Sequence, residues 1–374
     1  MTVTSDLYTL GPVPATVSQD ASASATIGTP AATPAPLVKP SGGIGFDSPP
    51  AYRAQTDFDY QSLYLGLHQE LLELDAFLNG PELFSESDFE AAGLDAENQF
   101  LLRFMGQQEI GHATLIASMI GWDQSLPQCQ YRYPNYTSVR DYVDDMRRVT
   151  RYGESGTIGF LGHLNAQDTA AMVNDAIQTE GRQQLIFRQW EGLFPMPFWQ
   201  VTFTTSITQS MQWTLMAPYI ANCPADLPRV NWTAFPALDV TNNPSLENKS
   251  GPGITSNLTQ FTAPGRQVQL SWDASGKTTG WNNSYTTQSY ASGNATWAAW
   301  ISQLNTTYTP LHNVSGNTGF TIQPGGGVYG DGTASVLNGS VYLLVTDADP
   351  YVTPYNLSEI ESHIIAGPAL YNVG

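Results

Sequence analysis

Four segments of this chain each carry an acidic residue on what would otherwise be the apolar face of a helix. Glu70 stands in the run Leu63, Leu67, Glu70, Leu74, Phe77, and Glu109 and His112 stand in the run Leu101, Met105, Glu109, His112, Ile116. Glu180 stands in the run Val173, Ile177, Glu180, Gln184, Phe187, and Glu154 precedes Ile158 and Leu161. Spacings of three and four residues put side chains on one helical face, so each acid is aimed at a helix-packed core. A lone buried carboxylate is costly, so it takes up a proton, pairs with a cation or binds a metal. Four converging acids, with a histidine one turn from one of them, are what a two-metal site in a helix bundle requires.

The periodicity sets the organisation of the chain. A first helix is predicted from about Asp57 to Asn79, with Gly80 and Pro81 as its stop, and a second from Asp95 to Ile120. The third runs from Ser138 to Leu164, interrupted by Gly153, Gly156 and Gly159, and the fourth from Asp168 to Leu193. Each interior glycine costs about 1 kcal/mol against alanine, which implies a bend or a close helix approach. Ser206 to Ile220 predicts a fifth, mostly apolar helix. Beyond Cys223 the helical signal fades. Gln267 to Trp272 and Val341 to Thr346 alternate as strands, and Ala295 to Leu304 reads as one short helix. Residues 1–54, rich in Ala, Thr, Ser, Pro and Gly, predict a disordered or extended arm. The expected fold is α+β and multidomain: the arm over 1–54, a helical bundle over 55–224 and a β-sandwich-like domain over 225–374.

The composition narrows the partners and the compartment. With 14 Lys and Arg against 33 Asp and Glu, the net charge of −19 repels nucleic acid and anionic lipid. N-glycosylation sequons stand at Asn135, Asn231, Asn248, Asn257, Asn282, Asn294, Asn305, Asn313, Asn338 and Asn356. Chance would supply about three or four. The excess predicts a secreted glycoprotein, decorated most heavily in its C-terminal half. The two cysteines, Cys129 and Cys223, suit a single disulfide in that compartment, with two buried thiols as the alternative. No apolar stretch is long enough to span a membrane. No charged start followed by an apolar run is visible, so a secreted chain of this sequence would have had its leader removed or carried upstream.

Four stretches carry a resemblance. The runs from Leu67 to Phe77 and from Gln108 to His112 resemble the ferritin-like domain of desiccation-related plant proteins. The runs from Thr179 to Pro197 and from Ile365 to Tyr371 are similar to fungal stress-response proteins of that superfamily, which are induced under nutrient stress. The resemblance covers about Asp57 to the C-terminus. It implies a ferritin-like four-helix bundle, secretion and a fungal source, and no established catalytic activity.

Bundles of this type hold two metals with a plain Glu from each of two helices and Glu-x-x-His from the other two. Here Glu70 and Glu154 would be the plain pair, and Glu109 with His112 is a complete Glu-x-x-His. Glu180 is followed by Gln183 where the second His would stand, and an amide oxygen is a weaker ligand. Iron or manganese would suit the set. His68 and Glu73 read as a solvated edge beside Glu70, and His163 as a surface or capping residue.

Three functions follow as expectations. The first is a stress-associated protective protein of the cell wall or extracellular matrix, with the bundle as scaffold, cell-wall polysaccharide as partner and self-assembly into homo-oligomers. The second is a di-metal oxidoreductase or metal-sequestering protein. The third is carbohydrate binding by rings such as Trp272, Trp281, Trp297 and Trp300, for which core packing is the simpler account.

Overall fold

The computed structural model describes residues 49–123, 126–127, 129–196, 204–244, 251–257, 259–302, 305–326 and 337–374. The arm expected over 1–54 lies outside them except for its last six residues, and so does Asn248. Ala51–Gly326 and Ala334–Gly374 form one compact unit.

The helices are α1 Asp57–Leu83, α2 Glu86–Ala91, α3 Ala96–Met119, α4 Val139–Leu161, α5 Gln167–Trp190 and α6 Gln209–Met216. Five open on a side-chain cap: Thr56, Ser85, Asp95, Ser138 and Thr208 each accept the backbone N–H three residues on. The start of α5 has no such cap. The buried Asp59 of α1 serves it instead, accepting the N–H groups of Asn165 and Ala166 at 2.8 and 3.2 Å.

The first helix does not stop at Gly80 and Pro81 but runs on to Leu83. Pro81 cannot donate to the carbonyl of Phe77. The Tyr142 hydroxyl donates to it instead at 3.1 Å, and to that of Ala76 at 3.0 Å. Gly80 makes this approach geometrically feasible, since a Cβ there would lie 2.2 Å from the tyrosine ring.

Helices α1, α3, α4 and α5 make the bundle, with α1 packed on α3 and α4, and α4 on α5. The glycines of α4 do not break it. A Cβ at Gly156 would lie 2.1 Å from Gln212 Oε1, and one at Gly159 would lie 1.9 Å from the Ile207 carbonyl oxygen. Both are places where α6 and its lead-in press against α4. The fifth helix is shorter than the expected Ser206 to Ile220 and gives way to a short 3-10 turn over Ala217–Tyr219 that contains Pro218.

The strands are β1 Gln130–Tyr131, β2 Ile220–Asn222, β3 Leu238–Val240, β4 Gln267–Trp272, β5 Thr278–Thr279, β6 Tyr285–Thr286, β7 Trp297–Ile301, β8 Thr306–Pro310, β9 His312–Ser315, β10 Thr318–Ile322, β11 Ser340–Thr346 and β12 Ile364–Asn372. Two four-stranded antiparallel sheets have orders β3-β4-β10-β9 and β12-β11-β7-β8. Their inner faces meet in one apolar core of Leu238, Val268, Leu270 and Trp272 against Trp300, Val341, Leu343 and Val345. Alternate residues of the second sheet, Ala299, Ile301, Tyr342 and Leu344, pack the other way, onto Tyr152, Ile207 and Met211 of the helical layer. The order is therefore bundle, sheet, sheet.

That burial on both faces explains why the stretch expected to be a short helix over Ala295–Leu304 is the central strand β7. With no solvated face, its residues Trp-Ala-Ala-Trp-Ile lose the alternation that marks a strand. Of the rings considered for sugar stacking, Trp272, Trp281 and Trp300 are buried and Trp297 is half-buried.

Cys129 and Cys223 form the disulfide. It lies beside the short β1–β2 pairing and ties the loop after α3 to the segment after α6.

Candidate metal centre

The site lies inside the bundle, built by three helices and shaped by a fourth. From residue 62 to residue 73 every position of α1 is buried, so its polar residues there face protein on every side. Glu70 and Glu73 stand one turn apart on it. Helix α3 supplies Glu109 and His112, and α5 supplies Glu180 and Gln183.

His112 Nδ1 is the hub, lying 2.9 Å from Glu109 Oε2, 3.2 Å from Glu70 Oε2 and 3.3 Å from Glu180 Oε1. One ligand atom from each of these four residues lies within 4.8 Å of all the others. Glu109 and Glu180 are closed off from water, while His112 and Glu70 keep small openings, with 13% and 10% of their side chains exposed.

The electrostatics are those of too much negative charge in too little solvent. Burial, and then the charge of Glu180, push the Glu109 carboxyl well above its ordinary range. Burial, followed by the charges of Glu180, Glu109 and Glu70, does the same to Glu73. Glu180 is pushed up to about 7, mainly by burial. Burial works against a charged His112, but its contacts with Glu109, Glu180 and Glu70 outweigh it and hold the imidazolium far above the usual histidine range.

No arginine relieves this. Arg182 turns outward to donate to Thr179, and Arg188 donates to the Phe194 carbonyl. Glu180 Oε2, Glu73 Oε2 and Gln183 Oε1 are buried without a hydrogen-bond partner, and Glu180 Oε1 has only its 3.3 Å contact with His112. A set of three carboxylates and one imidazole, with orphaned oxygens around it and no Lys or Arg ion pair to its acids among the described residues, fits a cation.

Glu70, Glu109, His112 and Glu180 are thus brought together as the sequence pattern suggested. Glu154 is not among the four. It is buried on α4 but pairs with Arg151 Nη1 at 2.6 Å and accepts from Thr204 at 2.8 Å. The residue of α4 that meets the site is Gly153, next to it in sequence, where a Cβ would lie 2.6 Å from Glu73 Oε1.

Gln183 reaches the site as expected of the position, but its amide nitrogen donates to Glu109 Oε1. Glu73 and His68 are not a solvated edge; both are buried. Glu73 accepts from Gln69 Nε2 at 2.7 Å, and the same nitrogen donates to the Val149 carbonyl of α4. His68 stacks on Trp281 with neither ring nitrogen partnered. His163 lies beside Tyr355, away from the site's four ligand residues.

Comparison with known proteins bears on the same residues. Residues 57–192 match the family model described as Ferritin-like domain, which takes in α1 to α5. Protein rds1 of Schizosaccharomyces pombe is 42% identical over 351 residues, covering 90% of this chain and 86% of that protein. The chain belongs to this ferritin-like family. The likeness to protein rds1 runs beyond the bundle, so the β layers are part of what the two share. No helix among the described residues is long and apolar enough to cross a membrane.

A separate charged cluster binds the bundle to the sheets. Arg147, fully buried, pairs with Glu191 at 2.9 Å and Asp144 at 2.7 Å. It also reaches Asn372 of β12 at 3.4 Å. Its charges are matched internally, so it reads as structural.

Proposed function

We propose that this chain is a metal-holding ferritin-like protein whose ion, iron or manganese, is bound by Glu70, Glu109, His112 and Glu180. The observation that carries this reading is His112 Nδ1 within 3.3 Å of carboxylates from three helices, with no Lys or Arg ion pair to those carboxylates among the described residues. A bound iron or manganese ion would supply one-electron exchange with oxygen or peroxide.

The chain's own part is to preorganise donors, exclude water and manage protons. Before an ion enters, a proton on His112 Nδ1 is shared among Glu70, Glu109 and Glu180 and offsets part of their charge. Ion entry must displace protons, so affinity rises with pH. The near-complete burial of the carboxylates favours retention of the ion over turnover of any substrate much larger than oxygen or peroxide. A bundle serving only as scaffold would have its acids paired by basic side chains. Arg182 and Arg188 do not do so.

The test is thermal melting with and without metal. Metal should raise the melting temperature of the wild type, and Glu109→Ala combined with His112→Ala should abolish that rise. An equal loss of stability with metal and with chelator would sink the reading.

The setting belongs to the same proposal: secreted, glycosylated and stress-associated. The Cys129–Cys223 bridge supports it, as does exposure of Asn135, Asn231, Asn257, Asn282, Asn294, Asn305 and Asn313. Asn356 is half-buried. Asn338 is only 1% exposed and has no room for a glycan in the folded chain. Endoglycosidase digestion of natively produced protein should lower its mass. An unchanged mass would place the protein elsewhere.

A further inference from the structure

We propose that the cavity at the C-terminal end of α5 is a binding site for a small hydroxycarboxylate, whose carboxylate pairs with Arg188 and whose hydroxyl is read by Asn338. Arg188 lies about 12 Å along α5 from Glu180, so the site stands apart from the metal centre and does not depend on it.

The first support is a buried charge without a counter-charge. Arg188 stands in the last turn of α5 and is only 6% exposed. The arginines of α4 beside it are all paired: Arg147 with Asp144 and Glu191, Arg148 with Asp144, and Arg151 with Glu154. Arg188 pairs with no carboxylate among the described residues. Its side chain makes one hydrogen bond there, from Nε to the Phe194 carbonyl at 2.9 Å. That carbonyl belongs to the chain as it turns back after the helix, where the Leu193 N–H donates to the Arg188 carbonyl at 2.9 Å. The bond at Nε fixes the plane of the guanidinium and leaves the two Nη groups to bind something else. Burial, and then the charge of Arg147, pull the Arg188 pKa below its ordinary value, yet the group stays charged at neutral pH. A helix C-terminus favours a cation but does not replace an ion pair for a buried one.

The second support comes from the β layers. Asn338, just ahead of β11, is 1% exposed, and neither its Oδ1 nor its Nδ2 has a hydrogen-bond partner. A buried amide with both ends orphaned is costly, and one group that both donates and accepts would satisfy it. A hydroxyl is such a group. Arg188 and Asn338 line the same cavity of about 140 Å³, together with Leu193, Phe194, Met196 and Phe261.

The ligand class follows from these walls. The two Nη groups match a planar carboxylate through parallel hydrogen bonds. The orphaned amide asks for a hydroxyl, and the apolar side chains suit a short carbon chain. A cavity of about 150 Å³ holds benzene, which has the same number of non-hydrogen atoms as lactate. The net charge of −19 repels anions from the surface at large, so an anion bound here is held by this buried charge.

The experiment is calorimetric titration of the full chain in low-salt buffer free of phosphate and carboxylate. Lactate, propionate and inorganic phosphate are the separate titrants. Lactate should bind at a single site with a dissociation constant of about a millimolar or tighter. Propionate, which lacks only the hydroxyl, should bind about tenfold more weakly or worse. Arg188→Met should weaken lactate by about tenfold or more. Asn338→Leu, close in volume, should erase the advantage of lactate over propionate and leave propionate within about threefold of its wild-type affinity.

Lactate that does not bind, or that binds Arg188→Met as tightly as wild type, overturns the proposal. Propionate bound as tightly as lactate, or phosphate bound in preference to it, overturns the hydroxycarboxylate assignment. Lactate binding that vanishes when metal is removed with chelator would place the ligand on the ion and not on Arg188. The comparison of lactate with propionate needs no variant, so it decides the matter even if the substitutions unfold the chain. Failure here leaves the metal reading intact, and metal-free protein that still binds lactate leaves this site intact.

Discussion

Replacing His68 by phenylalanine should remove a pH dependence from the stability of this protein. His68 is fully buried in α1, stacked on Trp281 with centroids 5.1 Å apart and edge-on to Tyr64 at 4.8 Å. Neither ring nitrogen has a partner, and burial pulls its pKa from 6.5 down to about 4. Between those values the unfolded chain binds a proton that the folded chain refuses, so stability rises with pH across the window. The displacement corresponds to about 3 kcal/mol, fully present above pH 6.5 and lost as the pH falls to 4.

His68→Phe keeps the ring stack and abolishes the proton uptake. It also relieves two unpartnered nitrogens, a gain of about 1–3 kcal/mol, against about 1 kcal/mol of crowding from the larger ring. Urea unfolding of metal-free wild type and variant at several pH values between about 4 and 7.5 isolates the effect, because every other titrating group is common to both. The variant's advantage should grow by about 3 kcal/mol from the top of that range to the bottom. A difference that stays flat would refute the argument, since it would mean that the ring is solvated or hydrogen-bonded.

Three more perturbations test the frame around the site. Gly159→Ala drives a Cβ to 1.9 Å from the Ile207 carbonyl oxygen and should cost about 3 kcal/mol in urea unfolding, while Gly162→Ala, with nothing within 4 Å, should be near neutral. Opening the disulfide with Cys223→Ala frees a loop closed over 94 residues and should cost about 4–5 kcal/mol, an effect that a reducing agent reproduces in the wild type. Burial works against the Asp144 carboxylate, but Arg147 and Arg148 outweigh it and hold its pKa below the usual range. Its contribution is therefore present above about pH 4 and lost as the pH falls through the lower folded value. Asp144→Asn should cost about 2–4 kcal/mol at neutral pH, and the gap to wild type should close in strong acid.

The buried Glu/His cluster was legible because α3 and α5 keep their acids on a single apolar stripe. There Glu109, His112 and Glu180 fall at the helical period, and the structure puts them in one place. Helix α1 defeated the same reasoning. It is buried on every side near the site, so periodicity has no polar face to contrast with, and Glu73 and His68 read as an edge when they are core. Their neighbours Leu71, Leu72 and Leu74 were the available signal, since a helix apolar all round cannot leave polar residues in water.

On α4 the error is one residue wide. A hydrophobic pattern cannot tell that Gly153, rather than Glu154, meets the site, because Arg151 and Thr204 hold the glutamate through contacts that only the tertiary structure supplies. Strand β7 shows the same limit in the β layers, where burial on both faces erased its alternation. Pro81 shows it at a helix end, where the Tyr142 hydroxyl stands in for the missing donor.

The most direct test of the central claim is the metal content of protein purified from its native source without chelator, read by elemental mass spectrometry against protein concentration. The account predicts at least one equivalent of iron or manganese per chain, lost when Glu109 and His112 are both replaced by alanine. Protein that carries none, and takes up none after loading with either ion, would contradict it.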